Sequence, residues 1–199
     1  MAPEEGPGIG RGARRVNPVP AALPVLATPR LRLRALEAAD AEALHPTLSD
    51  PASMTWWSHP PMESLAATRA HLERNAASSD WRNWVFVPRE GGSAIGFVAV
   101  GEKRNGACEL GYMIAREHRG SGLAREAVSA VLDHLFAAEG RRRVFADTDP
   151  DNLASRALLE RLGFTLEGRL RAEWETHIGI RDSLIYGLLR DEWLDARPR

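Results

Sequence analysis

The chain has 199 residues, a formal net charge of −1 and 27% charged residues. This length suits one domain near the upper end of the usual size range. The balanced charge disfavours a nucleic-acid-binding protein, whose surface carries a clustered basic excess. One cysteine, Cys108, excludes a disulfide within these residues, and we expect a small core residue in a reducing compartment.

Residues 1–24 are rich in glycine, proline and alanine and contain no apolar run typical of a secretory signal. We expect a flexible N-terminal extension there, followed by a single domain over residues 25–195. No later apolar run is long enough for a membrane-spanning helix. We therefore predict a cytoplasmic protein without membrane or nucleic-acid partners.

Hydrophobic periodicity predicts an α+β order of elements. Alternation and short apolar runs predict about seven strands, over residues 31–36, 84–87, 94–100, 107–114, 144–146, 164–173 and 182–189. Helical spacing predicts four helices, over residues 40–48, 64–77, 123–138 and 152–162. Ser64 and Asn152 are suitable N-caps, and Asp50-Pro51 is expected to end the first helix.

Residues 109–127 join a strand to a helix through a charged loop that contains Gly120 and Gly122. The first N–H groups of a helix have no intrahelical partner, and the helix dipole adds positive charge there. Glycine allows a ligand to approach the backbone closely. The loop therefore predicts a pyrophosphate site. Nearby side chains that can donate to a phosphate are Arg116, His118, Arg119 and Arg125.

Three kinds of phosphate-binding loop compete for this segment. A P-loop needs a lysine after its second glycine, but the only lysine in the sequence is Lys103, which precedes this loop. A dinucleotide fingerprint needs a third small residue, where Arg125 stands. The third pattern is Arg/Gln-x-x-Gly-x-Gly/Ala, which Arg119-Gly120-Ser121-Gly122-Leu123-Ala124 matches. This segment resembles the acetyl-coenzyme A signature of the GNAT N-acetyltransferase superfamily.

A second segment, residues 149–168, contains Asn152-x-x-Ser155, followed by Glu160-x-x-Gly163-Phe164-x-x-Glu167-Gly168. It resembles a block of the RimJ/RimL-like branch, the ribosomal-protein N-terminal acetyltransferases and their relatives. The opening Thr28-Pro29-Arg30-Leu31 is also similar to that branch. The resemblance covers residues 26–193. It implies the GNAT fold, a mixed and mostly antiparallel sheet of about seven strands flanked by helices.

The resemblance further implies a binding site for acetyl-CoA as acyl donor. The strand over residues 107–114 is expected to part from the strand at 144–146, so that a main-chain N–H polarises the thioester carbonyl. No metal-ligand cluster is visible, and no metal is expected. The implied cofactor-binding residues are Met113, Ile114, Arg119, Gly120, Ser121, Gly122, Leu123, Ala124 and Asn152.

Two side chains are candidate catalysts. Ser155 matches the family serine that protonates the leaving thiolate, although serine is also common in a first helical turn. Glu109 is the candidate base, on one face of its strand with Gly111 and Met113, and its alternative is a structural or solvated carboxylate. Weaker candidates, for binding a cationic acceptor, are Asp147, Asp149, Glu173 and Asp182.

Trp56 and Trp57 are candidate acceptor-binding residues, because an aromatic ring beside an amine suits cation–π binding. Their alternative is to cover the edge of the core. No activated nucleophile is evident, so we predict direct attack by a primary amine in a ternary complex, the acceptor being a protein N-terminus or a small amine. The alternatives are a non-catalytic acyl-CoA sensor and a different donor such as succinyl-CoA. The family also allows a homodimer.

Overall fold

The computed structural model describes residues 23–196, which form one eight-stranded sheet flanked by helices. The strands are β1 Leu26–Ala27, β2 Leu31–Ala35, β3 Trp81–Pro88, β4 Gly96–Glu102, β5 Ala107–Ile114, β6 Arg143–Thr148, β7 Thr165–Thr176 and β8 Gly179–Leu189. The helices are α1 Ala41–Leu48, α2 Pro51–Met54, α3 Leu65–Ala76, α4 Leu123–Asp133, α5 Leu153–Arg161 and α6 Arg190–Asp195.

The predicted N-terminal extension lies largely outside the described residues. Its last two residues belong to the described part and contact it. Leu23 packs against the hydrophobic core, and the carbonyl of Pro24 accepts a hydrogen bond from the indole of Trp84 at 3.0 Å.

The strands follow the order β1-β2-β3-β4-β5-β6-β8-β7. Every neighbouring pair is antiparallel except β5 and β6, which are parallel and are joined through α4. The predicted α+β class and mixed, mostly antiparallel sheet are confirmed. The strand that the sequence patterns missed is β1, because two residues are too short to show a period.

Alternation along the strands separates the core into two layers. The β5 residues Cys108 and Leu110 face a layer that α4 and α5 cover. Met113 of the same strand faces the opposite layer, which is built by α1 and α3 with side chains such as Leu44 and Leu72. Successive strand residues point to opposite faces, so every residue of β5 is assigned to one of these two layers. Cys108 is fully buried, as its expected core role requires.

The segment after α1 differs from its prediction. Asp50 does not only end the first helix. It also N-caps the short helix α2, where its carboxylate accepts a hydrogen bond from the N–H of Ser53 at 3.0 Å. Pro51 takes the first helical position, where its missing N–H costs no hydrogen bond. The predicted cap of α3 is confirmed, because Ser64 Oγ accepts from the N–H of Ala67 at 3.1 Å.

A buried ionic cluster ties the end of α4 to the sheet. The helix continues through a π-helical turn, His134–Ala138, which brings Glu139 to the side chains of Arg82 and Arg141. Glu139 is 3% exposed and its Oε2 lies 2.8 Å from Arg141 Nε. Burial raises the pKa of Glu139, but hydrogen bonds from Arg82 and Arg141 outweigh it and lower the pKa.

We expect Glu139→Gln to lower the free energy of unfolding by about 3 kcal/mol, at the low end for breaking a buried ion pair, because the buried Arg82 and Arg141 lose one of their two carboxylate partners and keep Glu102. Because the native pKa is lowered, the contribution of Glu139 is present above its unfolded pKa and is lost as the pH falls through the native value. Denaturant titration at pH 7 and at pH 4 measures both effects.

The control is Glu42→Gln, at an exposed ion pair with Arg69, where a loss below about 1 kcal/mol is expected. Equal losses in the two variants contradict the assignment.

Candidate functional site

The central feature of the site is a gap between β5 and β6. The two strands pair at only three positions, the last of which joins Glu109 to Phe145. Beyond this pair β5 continues to Ile114 and β6 to Thr148 without pairing to each other. The splay that the resemblance implied is therefore present between these two strands.

The backbone of β5 turns alternate residues toward this gap. The N–H of Ala115 donates to the carbonyl of Ile95, on the β4 side, at 2.8 Å. Because hydrogen-bonding directions alternate along an antiparallel pair, Met113 also points its backbone groups to β4, whereas Tyr112 and Ile114 point theirs into the gap. Of the two predicted backbone contacts, Ile114 lies on the open side. Met113 does not, and its side chain is buried in the α1–α3 layer.

The predicted phosphate loop leads from β5 to the N-terminus of α4. Gly120 and Gly122 have φ angles of 76° and 81°, a left-handed conformation that favours glycine, and Gly122 is the N-cap of α4. Within residues 23–196, the N–H groups of Gly120, Ser121 and Gly122 donate no hydrogen bond. A row of free amides at the start of an eleven-residue helix suits an anion.

The guanidinium of Arg119, which the sequence placed among the phosphate donors, has another partner. It donates to Ser53 Oγ at 2.9 Å and so ties the loop to α2. Ser53 in turn donates to the carboxylate of Asp50 at 2.7 Å. These hydrogen bonds lower the pKa of Asp50, against the effect of burial. The side chain of Arg119 therefore braces the loop, while its backbone remains part of it.

The first turn of α4 is clamped by the residues before β2. Glu126 accepts hydrogen bonds from Thr28 Oγ1 at 2.6 Å, from Arg30 N at 2.9 Å and from Arg30 Nε at 2.6 Å. Arg30 also donates to the carbonyl of Ser121 at 3.0 Å. Burial raises the pKa of Glu126, but these hydrogen bonds outweigh it and lower the pKa. The Thr28-Pro29-Arg30 segment therefore fixes the position of the loop.

On the α4–α5 side of the gap, Ser155 is paired with Tyr112. Their hydroxyl oxygens are 2.8 Å apart. Burial raises the pKa of Tyr112 to about 12, although the hydrogen bond with Ser155 lowers it, so the phenol keeps its proton near neutral pH. Asn152 is the N-cap of α5, and its Oδ1 accepts from the N–H of Ser155 at 3.2 Å. The hydroxyl and the backbone N–H of Ser155 are thereby both held by hydrogen bonds.

Glu109 lies on the opposite side of the sheet, facing the α1–α3 layer. Its carboxylate forms an ion pair with Lys103 at 2.8 Å, and Lys103 in turn lies over the ring of Trp81. Glu109 is also part of the last strand pair, before the gap opens. The candidate base is therefore neutralised by a neighbouring cation and lies at the closed end of the gap.

Asp147 occupies the open end on the same side, two residues beyond Phe145. It accepts hydrogen bonds from Trp174 Nε1 at 2.8 Å and from Ser183 Oγ. Next to it, Arg181 binds Asp149 at 2.7 Å and Asp151 at 2.6 Å. Burial raises the pKa of Asp149, but hydrogen bonds from Arg181 and from the N–H of Asp151 outweigh this effect, so the pKa is lowered.

The predicted aromatic pair is divided between two roles. The ring of Trp57 packs against Phe97, with centroids 5.6 Å apart, and joins the α1–α3 core. Trp56 is 37% exposed and carries the guanidinium of Arg181 over its ring at 5.8 Å. The cation that lies over the ring of Trp56 is therefore Arg181, where the sequence predicted the amine of an acceptor. Asp182, another weak candidate, binds the N–H of Ala172 and the side chain of Arg169.

Sequence reasoning missed several residues that the fold brings to the gap. The position of Tyr112 was predictable from strand alternation. Glu109 and Gly111 point to one face of the sheet, so Tyr112 points to the other face, toward the helix that carries Ser155. Trp174 had none, because its position depends on an irregularity in β7 that no periodicity predicts. Within residues 23–196, no helix is long and apolar enough to cross a bilayer, and no group of side chains is arranged to hold a metal ion.

Comparison with known proteins identifies the family. The family model described as the acetyltransferase (GNAT) domain matches residues 30–165. The chain belongs to the GNAT acetyltransferase family. An uncharacterised N-acetyltransferase of Bacillus licheniformis, p20, is 30% identical over 173 residues, which cover 84% of this chain and 97% of that protein.

Two solved structures are similar along most of their length. A probable GNAT acetyltransferase from Chromobacterium violaceum has a TM-score of 0.82 and 28% identity, over 98% of both chains. The spermidine N-acetyltransferase of Vibrio cholerae, solved with CoA and spermine, has a TM-score of 0.73 and 25% identity, over 84% of this chain and 99% of its own. The predicted GNAT fold and N-acetyltransferase class are confirmed, whereas the RimJ/RimL-like branch stays a prediction.

We expect Glu126→Ala to speed exchange of the hydrogen-bonded amides of His118, Arg119 and residue 126 by about tenfold, because it removes charge-assisted hydrogen bonds worth roughly 1.5–3 kcal/mol. The lower end of that range applies, since Arg30 is half-exposed. Exchange followed by mass spectrometry measures the effect, with the exposed Glu117→Ala of the same segment as control. Unchanged exchange in Glu126→Ala would show that the loop does not depend on the clamp.

Proposed function

We propose that the chain transfers an acetyl group from acetyl-CoA to a primary amine by direct attack in a ternary complex. The observation that carries this proposal is the gap between β5 and β6. A row of free amides starts at one end of it, a hydroxyl pair lines one side, and carboxylates line the other. Each of these groups suits one part of the transfer.

The cofactor is bound, in this proposal, by three parts of the chain. The pyrophosphate lies on the amides of residues 120–124, at the N-terminus of α4. The pantetheine arm runs along the open edge of β5, where the backbone of Tyr112 and the N–H of Ile114 face the gap, while the carbonyl of Ile114 accepts a hydrogen bond from Arg119 Nε at 3.4 Å. Asn152 lies beside this edge, at the N-terminus of α5. The likeness to an enzyme solved with CoA supports this arrangement.

Positioning supplies most of the rate in this arrangement. Orienting two reactants is worth roughly 7–11 kcal/mol of the barrier. A backbone N–H of β5 that points into the gap polarises the thioester carbonyl, because it is held in place before the reaction begins. The main-chain groups of Tyr112 and Ile114 are the candidates for this donor.

Ser155 protonates the leaving thiolate, and Tyr112 supports it. A thiol has a pKa near ~8.5, so its anion is a tolerable leaving group and a proton donor helps modestly. The phenol of Tyr112 lies within hydrogen-bond distance of Ser155 Oγ and keeps its proton near neutral pH. The two hydroxyl groups are therefore able to pass a proton toward the sulfur.

The amine enters from the α1–α3 side. An α-amino group has a pKa near ~8, so its proton is readily lost to a carboxylate or to water. Glu109, the predicted base, is paired with Lys103 at the closed end of the gap. Asp147 is at the open end, and either carboxylate is able to take the proton through a water molecule.

Further parts of the proposal rest on the resemblance alone. The segment from Asn152 to Gly168 supports the RimJ/RimL-like branch, whose acceptors include protein N-termini. Trp56 and Trp57 stay candidates for a wall of the acceptor site, although Arg181 lies over the ring of Trp56 and Trp57 packs against Phe97. A cytoplasmic location and a homodimer are expected from the same resemblance.

The experiment that tests the function is calorimetric titration with acetyl-CoA, succinyl-CoA and ATP, followed by a screen of amines for thiol release. Saturable binding of acetyl-CoA with release of CoA in the presence of an amine supports the proposal. Tighter binding of succinyl-CoA identifies another acyl donor. Binding of acetyl-CoA without transfer to any amine identifies a non-catalytic sensor, and binding of ATP alone refutes the assignment of the loop.

We expect Gly122→Trp to abolish acetyl-CoA binding, because a side chain at a φ of 81° distorts the loop and fills the approach to its amides. Titration calorimetry checks the affinity. Gly91→Trp is the matched control, since Gly91 has a φ of 109° in open space at the turn between β3 and β4. Full affinity in Gly122→Trp contradicts the assignment, and a loss in both variants indicates general misfolding.

We expect Ser155→Ala to lower kcat about a hundredfold, at the lower end of the effect of general acid catalysis, with little change in acetyl-CoA affinity. Tyr112→Phe should have a smaller effect of the same kind. If the two hydroxyl groups act as a unit, the double variant will be no slower than Ser155→Ala. Steady-state kinetics measures this, and a wild-type kcat in Ser155→Ala returns the serine to a structural role.

A further inference from the structure

Strand β7 contains an irregularity close to the gap. Leu170 pairs with Ser183, and the next pair joins Trp174 to Arg181, so three residues of β7 lie opposite Asp182 alone. Ala172, in the middle of them, has a φ of 52°, which a non-glycine residue rarely adopts. Its N–H donates to the carboxylate of Asp182 at 2.9 Å. Asp182 therefore holds the bulge in this conformation.

The bulge sends the indole of Trp174 across the sheet. Because β8 lies between β7 and β6, the side chain spans two strand spacings of roughly 4.8 Å each to reach Asp147. It donates to Asp147 Oδ2 at 2.8 Å, while the buried Ser183 beneath it donates to the other oxygen. Trp174 is 44% exposed, so burial alone does not explain its position. The hydrogen bond to Asp147 fixes the ring.

Asp147 forms no ion pair with a side chain of residues 23–196. Both of its hydrogen-bond donors among the described residues are uncharged. Its neighbours Asp149 and Asp151 share the single guanidinium of Arg181. Arg156, which donates to the carbonyl of Pro150, is the next cation of this cluster. Asp147 is therefore the carboxylate here that has no ion pair among the described residues, beside the position proposed for the thioester. A carboxylate at such a site attracts an ammonium group.

We propose that Asp147 binds the ammonium group of the acceptor and that Trp174 is the positioning and specificity residue of this subsite. This inference rests on the proposed function. The indole N–H and the hydroxyl of Ser183 hold the carboxylate in one orientation, and the indole ring is a wall for the chain that carries the amine. The subsite takes a primary ammonium on an aliphatic chain. It disfavours an amine with an adjacent carboxylate, which the carboxylate of Asp147 repels.

A binding experiment tests this without acetyl transfer. The probes are butylammonium and, for comparison, glycine, added to full-length protein with ¹⁵N-labelled indole groups. Trp174→Phe identifies the resonance of Trp174 among those of the six tryptophans. Butylammonium is expected to shift that resonance saturably, with glycine at least tenfold weaker. Asp147→Asn is expected to weaken the binding of butylammonium at least tenfold.

Kinetics then separates positioning from stability. Trp174→Phe keeps an aromatic ring and removes the donor, so it should raise the KM for butylamine about threefold to tenfold, the worth of one ordinary hydrogen bond, since the indole is partly exposed. The kcat and the KM for acetyl-CoA should stay within about twofold. Asp182→Ala alone should also raise the KM for butylamine. The double variant Asp182→Ala/Trp174→Phe should have the same KM as Trp174→Phe, because both changes act through the indole.

The matched control is Trp193→Phe, which removes another indole-to-carboxylate hydrogen bond, to Asp133 at 2.9 Å, away from the gap. It should leave the KM for butylamine unchanged. The proposal is overturned if Asp147→Asn binds butylammonium normally, if the resonance of Trp174 does not move, or if Trp193→Phe raises the KM as much as Trp174→Phe. Failure of the proposed function has a different outcome, the absence of acetyl-CoA binding or of any acetylated amine.

Discussion

The short pairing of β5 with β6 is the constraint on which the site depends. After Glu109 and Phe145 the strands part, and the backbone groups of Tyr112 and Ile114 lose the neighbour that a sheet normally supplies. Unpaired backbone groups are costly unless water or a ligand takes them. The closed end is fixed nearby by the ionic cluster around Glu139, and the open end by the clamp of Thr28 and Arg30 on Glu126. Rigid supports on both sides keep the gap open.

The gap also separates two opposite charge environments. Free amides at the start of α4 and the N-terminus of α5 lie on the side where an anionic cofactor is proposed. Asp147 and its acidic neighbours lie where a cationic amine is proposed. Alternation along β5 makes this separation possible, because Tyr112 and Glu109 belong to one strand and point to opposite layers. In the proposed reaction, the two reactants meet in the plane of the sheet, each attracted from its own side.

Local rules predicted the features that local contacts determine. The caps at Ser64 and Asn152 and the left-handed glycines of the loop are present, because each depends on residues within one turn. The partner of Arg119 in α2 and the reach of Trp174 over β8 were not predictable, since both join residues far apart in the chain. The ion pair of Glu109 with Lys103 was missed although it spans a short hairpin, because strand periodicity does not fix side-chain conformations.

Cys108 lies in the α4–α5 layer, at the closed end of the gap, and is fully buried. Burial, with the nearby carboxylate of Glu102, raises the pKa of its thiol to about 11, so almost no thiolate is present at neutral pH. Because thiol reagents attack the exposed thiolate, the folded enzyme is nearly silent toward them. A colorimetric assay for free CoA will therefore report turnover with little background from the protein, and a slow rise in reactivity when acetyl-CoA is omitted will report unfolding instead.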